Sequence, residues 1–124
     1  MKEKKYKHIE DLLEDYILLA AEQMEIPIQT NLLKEKFDTL FDDNSNNAIS
    51  TADAQDSFKV FNQMNKLQER MQEVEREIAD LEGDLKQFLS HLRGNKLTYV
   101  RKENKNKITF QFWLENGEIK SNKL

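Results

Sequence analysis

The chain has 124 residues, a net charge of −4, 38% hydrophobic residues and 34% charged residues. This length suits one domain or one elongated protomer, and the high charged fraction is typical of long exposed helices. The absence of cysteine excludes disulfides, thiol nucleophiles and zinc–cysteinate sites. No apolar run approaches the roughly 18 residues of a transmembrane helix, and the start lacks the apolar core of a secretory signal. We therefore expect a cytoplasmic protein without a membrane partner.

The first segment, residues 1–41, predicts a helical hairpin. Apolar residues recur at helical spacing on both sides of Pro27, the only proline. The ring of Pro27 disfavours a helical conformation at Ile26, and Thr30 is suited to cap a second helix. We therefore expect one helix over about 5–24 and a shorter one after Thr30.

The second segment, residues 42–51, is a polar linker dense in Asn, Asp and Ser, which favour turns. Extended to Asp53, it resembles part of an EF-hand calcium loop. The candidate cation ligands are Asp42, Asn44, Asn46, Ser50 and Asp53. Asn47 replaces the glycine of that motif, Asp53 replaces its bidentate glutamate, and two carboxylates bind a hard cation weakly. We interpret the segment as a connector and expect no cofactor.

The third segment, residues 52–94, carries the most informative pattern in the chain. Apolar residues alternate by four and three positions over almost five heptads, which predicts a long coiled-coil helix. The predicted seam is Val60, Met64, Leu67, Met71, Val74, Ile78, Leu81, Leu85, Phe88 and Leu92. Ser50 or Thr51 is suited to begin this helix, and Gly94 to end it in a left-handed conformation.

The length of this helix favours burial of the seam by a second protein. A helix of about 41 residues would be roughly 60 Å long, which exceeds the diameter of a compact domain of this size. The d positions Val60, Val74 and Phe88 match parallel dimers poorly, and no Asn fixes a register. A parallel dimer, an antiparallel or higher-order assembly and a foreign helical partner therefore all stay open. Packing against residues 5–41 of the same chain is the remaining alternative.

The fourth segment, residues 95–124, changes to the alternation of β-strands. One apolar face is expected to be buried, and it consists of Ile108, Phe110, Phe112 and Leu114. Trp113 belongs to the opposite face. Residues 103–107 and the Asn116-Gly117 pair supply turns. We expect a three-stranded antiparallel meander.

Aromatic and basic residues of the meander are the candidate partner contacts. These residues are Trp113, Tyr99, Arg101 and Lys102. Protein surfaces and single-stranded nucleic acid both use such combinations of side chains. For catalysis the sequence offers little, because His8 and His91 lie in charged helical contexts and no phosphate loop, histidine metal motif or nucleophile–base pair occurs. We do not expect an enzyme.

Together these patterns predict a mainly α protein with a small β element. The favoured function is a non-enzymatic oligomerisation or adaptor subunit of an intracellular complex, whose partner is a second copy or another helical protein. One alternative is a small nucleic-acid-binding regulator that dimerises through the coil and binds with its basic carboxyl-terminal sheet. Another is a small inhibitor from a mobile element that occludes a partner protein.

Overall fold

The computed structural model of the protein describes residues 6, 8–41 and 49–124. Its elements, in chain order, are α1 (Ile9–Thr39), α2 (Thr51–Ser90), a short 3-10 turn (Arg93–Asn95), β1 (Lys96–Glu103), β2 (Asn106–Glu115) and β3 (Glu118–Lys123). The predicted class, mainly α with a small β element, is confirmed. The chain divides into two compact units. We call Met1–Ile17 together with Ile78–Leu124 the sheet unit, and Leu18–Glu77 the helix unit.

Helix α1 is continuous, so the predicted hairpin at the amino terminus is wrong. Pro27 lies inside the helix, where a proline removes one backbone hydrogen bond and costs about 3 kcal/mol. Thr30 does not cap a second helix but donates its hydroxyl hydrogen to the Ile26 carbonyl at 2.9 Å. Leu19, Ile26 and Leu33 follow each other at heptad spacing, the first two buried and the third half-buried. This shared burial on both sides of Pro27 outweighs the local preference for a break.

Helix α2 begins where the sequence predicted. The Ser50 side chain accepts a hydrogen bond from the backbone N–H of Asp53 at 3.1 Å, and the Ser50 carbonyl accepts one from Ala54 at 2.8 Å. Ser50 is therefore the N-cap residue, as its short hydroxyl side chain suggests. Asp53 in the first turn adds a favourable interaction with the helix dipole.

The carboxyl end of α2 differs from the prediction. The helix ends at Ser90 rather than at Gly94, and its last turn tightens, since the Leu92 N–H bonds the Leu89 carbonyl at 3.0 Å. Leu92 is already extended, with φ of −89° and ψ of 147°. Gly94 does adopt the predicted left-handed conformation, with φ of 75°, but in the turn that leads into β1.

The three strands form the predicted antiparallel meander, in the order β1-β2-β3. Asn116 and Gly117 both have positive φ, 54° and 77°, which is the backbone conformation of a type I′ hairpin turn. The predicted apolar face is confirmed. Phe112 is 1% exposed, and the other members of the face, Ile108, Phe110 and Leu114, are half-buried.

The core of the sheet unit joins three elements. Its buried side chains are Leu12 and Leu13 of α1, Ile78, Leu81, Leu85 and Leu89 of α2, and Phe112 of β2. The rings of Tyr16 and Phe112 meet edge to face with centroids 6.2 Å apart, which links α1 directly to the sheet. The apolar face of the meander is thereby covered by helix.

The helix unit has a thinner core. Its buried side chains are Leu19 and Ile26 of α1 and Ser57, Val60 and Val74 of α2. The Ser57 hydroxyl donates to the Ala54 carbonyl at 2.9 Å, so this buried polar group is satisfied. Met64, Leu67 and Met71 of α2 are only half-buried.

Candidate functional site

The sheet register separates the predicted contact residues onto two faces. Trp113 lies opposite Lys96 of β1 and Lys120 of β3. Because side chains alternate along a strand, Lys102 shares this face with Trp113, whereas Tyr99 and Arg101 lie on the other face. The predicted set of four is therefore not one surface.

Tyr99 and Arg101 hold the sheet against α1 through a single carboxylate. The Tyr99 hydroxyl donates to Oε2 of Glu14 at 2.5 Å, and Nε of Arg101 lies 3.3 Å from Oε1. The pKa of Tyr99 is raised to about 12. The larger cause is burial of the phenol, and the second is its hydrogen bond to Glu14. These two residues are structural contacts within the sheet unit, and Glu14 was not found by sequence reasoning because its partners lie far along the chain.

The face of the sheet that carries Trp113 is largely open to solvent. Lys96, Thr98, Val100 and Lys102 of β1 are all exposed on it, Val100 by 50%. On β2, Lys107 and Gln111 are exposed and Thr109 and Trp113 are half-buried, while Lys120 and Asn122 of β3 are exposed. We call this surface the outward sheet face. A depression of about 190 Å³ lies along it, lined by Lys96, Leu97, Thr98, Gln111, Phe112 and Trp113.

An ion pair aligns the two helices of the helix unit. Arg70 holds Glu22 through two parallel hydrogen bonds, Nε to Oε2 at 2.5 Å and Nη2 to Oε1 at 2.8 Å. The hydrogen bonds from Arg70 lower the pKa of the Glu22 carboxyl despite some opposing burial. Arg70 also reaches Glu73 of its own helix at 3.1 Å. Such bidentate geometry fixes which part of α1 lies beside which part of α2.

The predicted coiled-coil seam is partly buried within the single chain. Its members Val60, Val74, Ile78, Leu81 and Leu85 are each at most 7% exposed. Its members Met64, Leu67, Met71 and Leu92 are half-buried. The five buried side chains thus leave water without a second protein, and their use as an oligomer seam stays a prediction.

The end of the seam departs from the heptad. Leu89 is 0% exposed, whereas the predicted seam residue Phe88 is 37% exposed. A straight α-helix has 3.6 residues per turn, so a strict heptad drifts around its surface by about 20° per repeat. The buried stripe therefore steps from Leu85 to Leu89 rather than to Phe88.

Helix α1 carries a second apolar surface on the side opposite its buried residues. Met24, Ile28 and Leu32 follow each other at intervals of four and are 74%, 57% and 61% exposed. We call these three residues the α1 outer stripe. Glu22 and Glu25 are the only charged residues between positions 18 and 33, and Glu22 is held by Arg70. The sequence analysis did not identify this stripe. The near absence of charged residues on any side of the helix between positions 18 and 33 already indicated an apolar outer surface.

Helix α2 contributes a smaller exposed apolar pair to the helix unit. Phe58 and Phe61 are 64% and 45% exposed, and their rings stack with centroids 6.2 Å apart. These two side chains lie three positions apart on one helix, and the next apolar residue at that spacing, Met64, is half-buried.

The candidate cation loop lies only partly within the described residues. Asp42, Asn44 and Asn46 lie outside the described residues, while Ser50 is the N-cap of α2 and accepts a hydrogen bond from the backbone N–H of Asp53. Within residues 6, 8–41 and 49–124, no group of three or more His, Asp or Glu side chains could hold a metal ion. His8 and His91 are both exposed. In the same part of the chain, neither helix combines the length and hydrophobicity that crossing a membrane requires.

Comparisons of the chain with protein-family models, curated proteins and solved structures find no match. The function is therefore inferred from the surfaces described above.

Proposed function

We propose that the protein is a non-enzymatic oligomerisation subunit that binds a second copy of itself through the α1 outer stripe. The observation that carries this proposal is the exposure of Met24, Ile28 and Leu32, each more than half open to solvent at helical spacing. Burying a large apolar side chain contributes about 1.5–3 kcal/mol before entropy is subtracted. A continuous apolar stripe on a monomer is characteristic of a surface that binds another protein.

The stripe takes the role that the sequence pattern assigned to the seam of α2. That seam supplies core residues to both units, so much of it is occupied inside the chain. The α1 outer stripe, by contrast, faces away from Leu19 and Ile26, the residues with which α1 contributes to the helix-unit core. Association through it needs no rearrangement of either helix.

Charge favours an antiparallel pairing of the two α1 helices. In an antiparallel pair centred on Ile28, Met24 meets Leu32 of the second copy. Glu25 then lies opposite Asn31 of the second copy, and all of these side chains are exposed. In a parallel pair Glu25 would face its own equivalent, and like charges at such positions are destabilising. A two-fold axis at Ile28 also makes the surface self-complementary, as an isologous dimer requires.

The test is the mass of the protein in solution. Light scattering after size exclusion, over concentrations up to the high micromolar range, is expected to give a dimer of the 14.7 kDa chain. Ile28→Glu places a charge at the centre of the stripe and is expected to give a monomer with unchanged circular dichroism. Phe58→Glu is the matched control, because it places the same charge at an exposed apolar residue of the helix unit outside the stripe.

The outcomes separate the proposal from its competitors. A wild-type monomer at every concentration would overturn self-association. A monomer that binds another helical protein through Ile28 would instead make the chain an adaptor. An Ile28→Glu variant that stays dimeric would move the interface to another surface.

A further inference from the structure

The outward sheet face collects positive charge, and within the described part of the chain only Lys120 of its lysines forms an ion pair. Its lysines are Lys96, Lys102, Lys107 and Lys120. Lys102 of β1 lies directly opposite Lys107 of β2. Like charges in directly opposite positions destabilise a sheet. A bound anion would relieve this repulsion.

Acidic side chains on the same face lie at its far end only. Glu115 and Glu118 flank the β2–β3 turn. Glu118 forms an ion pair with Lys120 at 3.4 Å, and Glu115 accepts a hydrogen bond from Nε1 of Trp113 at 3.3 Å. From Gln111 towards the β1–β2 turn, the described residues of the face carry lysine and neutral side chains and no acidic side chain.

The centre of the face offers groups that suit nucleobases. Trp113, the only tryptophan of the chain, stands between Lys96 and Lys120 on the neighbouring strands. Directly opposite side chains on one face of a sheet have Cβ atoms about 5 Å apart, so both ammonium groups can reach a strand that stacks on the indole. The depression beside Trp113 adds the Gln111 amide and the Thr98 hydroxyl, which can donate to and accept from base edges.

We propose that the outward sheet face binds single-stranded nucleic acid. The four lysines contact phosphates, and Trp113 stacks on an unpaired base. Open sheets recognise single strands in this way, because stacking needs an exposed base face that a duplex does not present. The proposal concerns the sheet unit alone and does not depend on association through the α1 outer stripe.

The experiment measures binding of fluorescein-labelled 20-nucleotide oligo(dT) and oligo(U) by anisotropy, with Trp113 fluorescence as a second signal. Binding of either oligonucleotide is expected to quench Trp113 and to weaken as salt rises. Each neutralised phosphate contributes about −0.7 to the slope of log affinity against log salt for a single strand, so four lysines give a slope of about −3. The two oligonucleotides show whether the ribose hydroxyl matters.

Two double variants of equal charge change provide the site test. Lys102→Glu with Lys107→Glu reverses the opposed pair on the outward sheet face, and is expected to lower affinity at least about tenfold at low salt. Lys59→Glu with Lys66→Glu reverses two exposed lysines of α2 and is expected to change affinity less than about twofold. Trp113→Ala is expected to lower affinity about tenfold, and Trp113→Phe less, because phenylalanine still stacks. Circular dichroism checks that each variant is folded.

Four results would overturn the proposal. These are no binding of either oligonucleotide at low salt, equal losses in the two double variants, equal competition by a 20-residue poly-glutamate peptide, and equal competition by duplex DNA. The peptide result would indicate an acidic protein partner, and the duplex result a general phosphate contact without base stacking.

Discussion

The hydroxyl of Tyr99 donates a 2.5 Å hydrogen bond to the carboxylate of Glu14, which ties β1 to α1 across 85 positions of the sequence. Arg101, two residues further along β1, reaches the other oxygen of the same carboxylate at 3.3 Å. One acidic side chain of α1 thus holds two of the three residues of β1 that the sequence had suggested as contacts for a partner.

The first prediction concerns the ionisation of Tyr99. Its pKa is raised from 10.0 to about 12 by burial and by Glu14. Since the folded pKa lies above the unfolded one, this stabilisation is complete below pH 10 and is lost as the pH rises through about 12. The ultraviolet absorbance titration of the wild type minus that of Tyr99→Phe is expected to show one phenol ionising near pH 12. A difference titration centred near pH 10 would mean that the contact with Glu14 does not form.

The second prediction compares two glycines. Gly83 lies within α2 and Gly94 has a positive φ of 75°, and a Cβ atom at either would meet nothing within 4 Å. Gly83→Ala should raise the free energy of unfolding by about 1 kcal/mol, because alanine favours the helix. Gly94→Ala should lower it by about 1–2 kcal/mol, because a Cβ atom is strained in the left-handed region. Urea denaturation of the two variants measures both values, and changes of the same sign would contradict the backbone described here.

The third prediction concerns Pro27. Pro27→Ala should raise the free energy of unfolding by about 2 kcal/mol, since it restores a helical hydrogen bond while loosening the unfolded chain. Gln29→Ala, at a nearby exposed position of α1, serves as the control and should change stability by less than about 0.5 kcal/mol. A destabilised Pro27→Ala variant would indicate that the chain breaks at Pro27 after all.

The fourth prediction tests where the apolar stripe of α2 runs. Leu89→Ala should cost about 2–5 kcal/mol, because Leu89 is 0% exposed in the sheet unit. Phe88→Ala removes a larger side chain from a site that is 37% exposed and should cost about 1 kcal/mol or less. Thermal or urea unfolding measures the loss of stability in each of the two variants. The reverse ranking would restore the strict heptad and its prediction that Phe88 belongs to the seam.

Local signals predicted the local features of this fold. The recurrence of Ile108, Phe110, Phe112 and Leu114 at every second position, together with Asn116-Gly117, was sufficient for the meander, because strand faces and tight turns depend on neighbouring residues. Ser50 was one of the two predicted N-cap residues, with Thr51, for the same reason. The adjacency of Arg101 and Lys102 already implied that they point to opposite faces of a strand, a signal that the predicted contact set did not use.

Features that depend on distant residues could not be predicted. Pro27 stays helical beside Leu19 and Ile26, which are buried before it, and Leu33, which is half-buried after it; this burial depends on tertiary packing, which a local preference cannot register. The heptad pattern of α2 indicated that the seam must be buried. It did not indicate that other residues of the same chain would bury much of the seam. The bidentate pair between Glu22 and Arg70 spans 48 positions, and spacing alone gave no indication of it.

Disulfide trapping between α1 helices is the most direct test of self-association, because the chain has no cysteine of its own. Met24→Cys and Leu32→Cys variants are mixed in equal amounts and oxidised mildly, with Phe58→Cys as the control. The antiparallel pairing predicts that the mixture gives far more covalent dimer than either variant alone, that Ile28→Cys gives dimer by itself, and that Phe58→Cys stays monomeric. Covalent dimer formed no faster in the mixture than with Phe58→Cys would contradict the pairing.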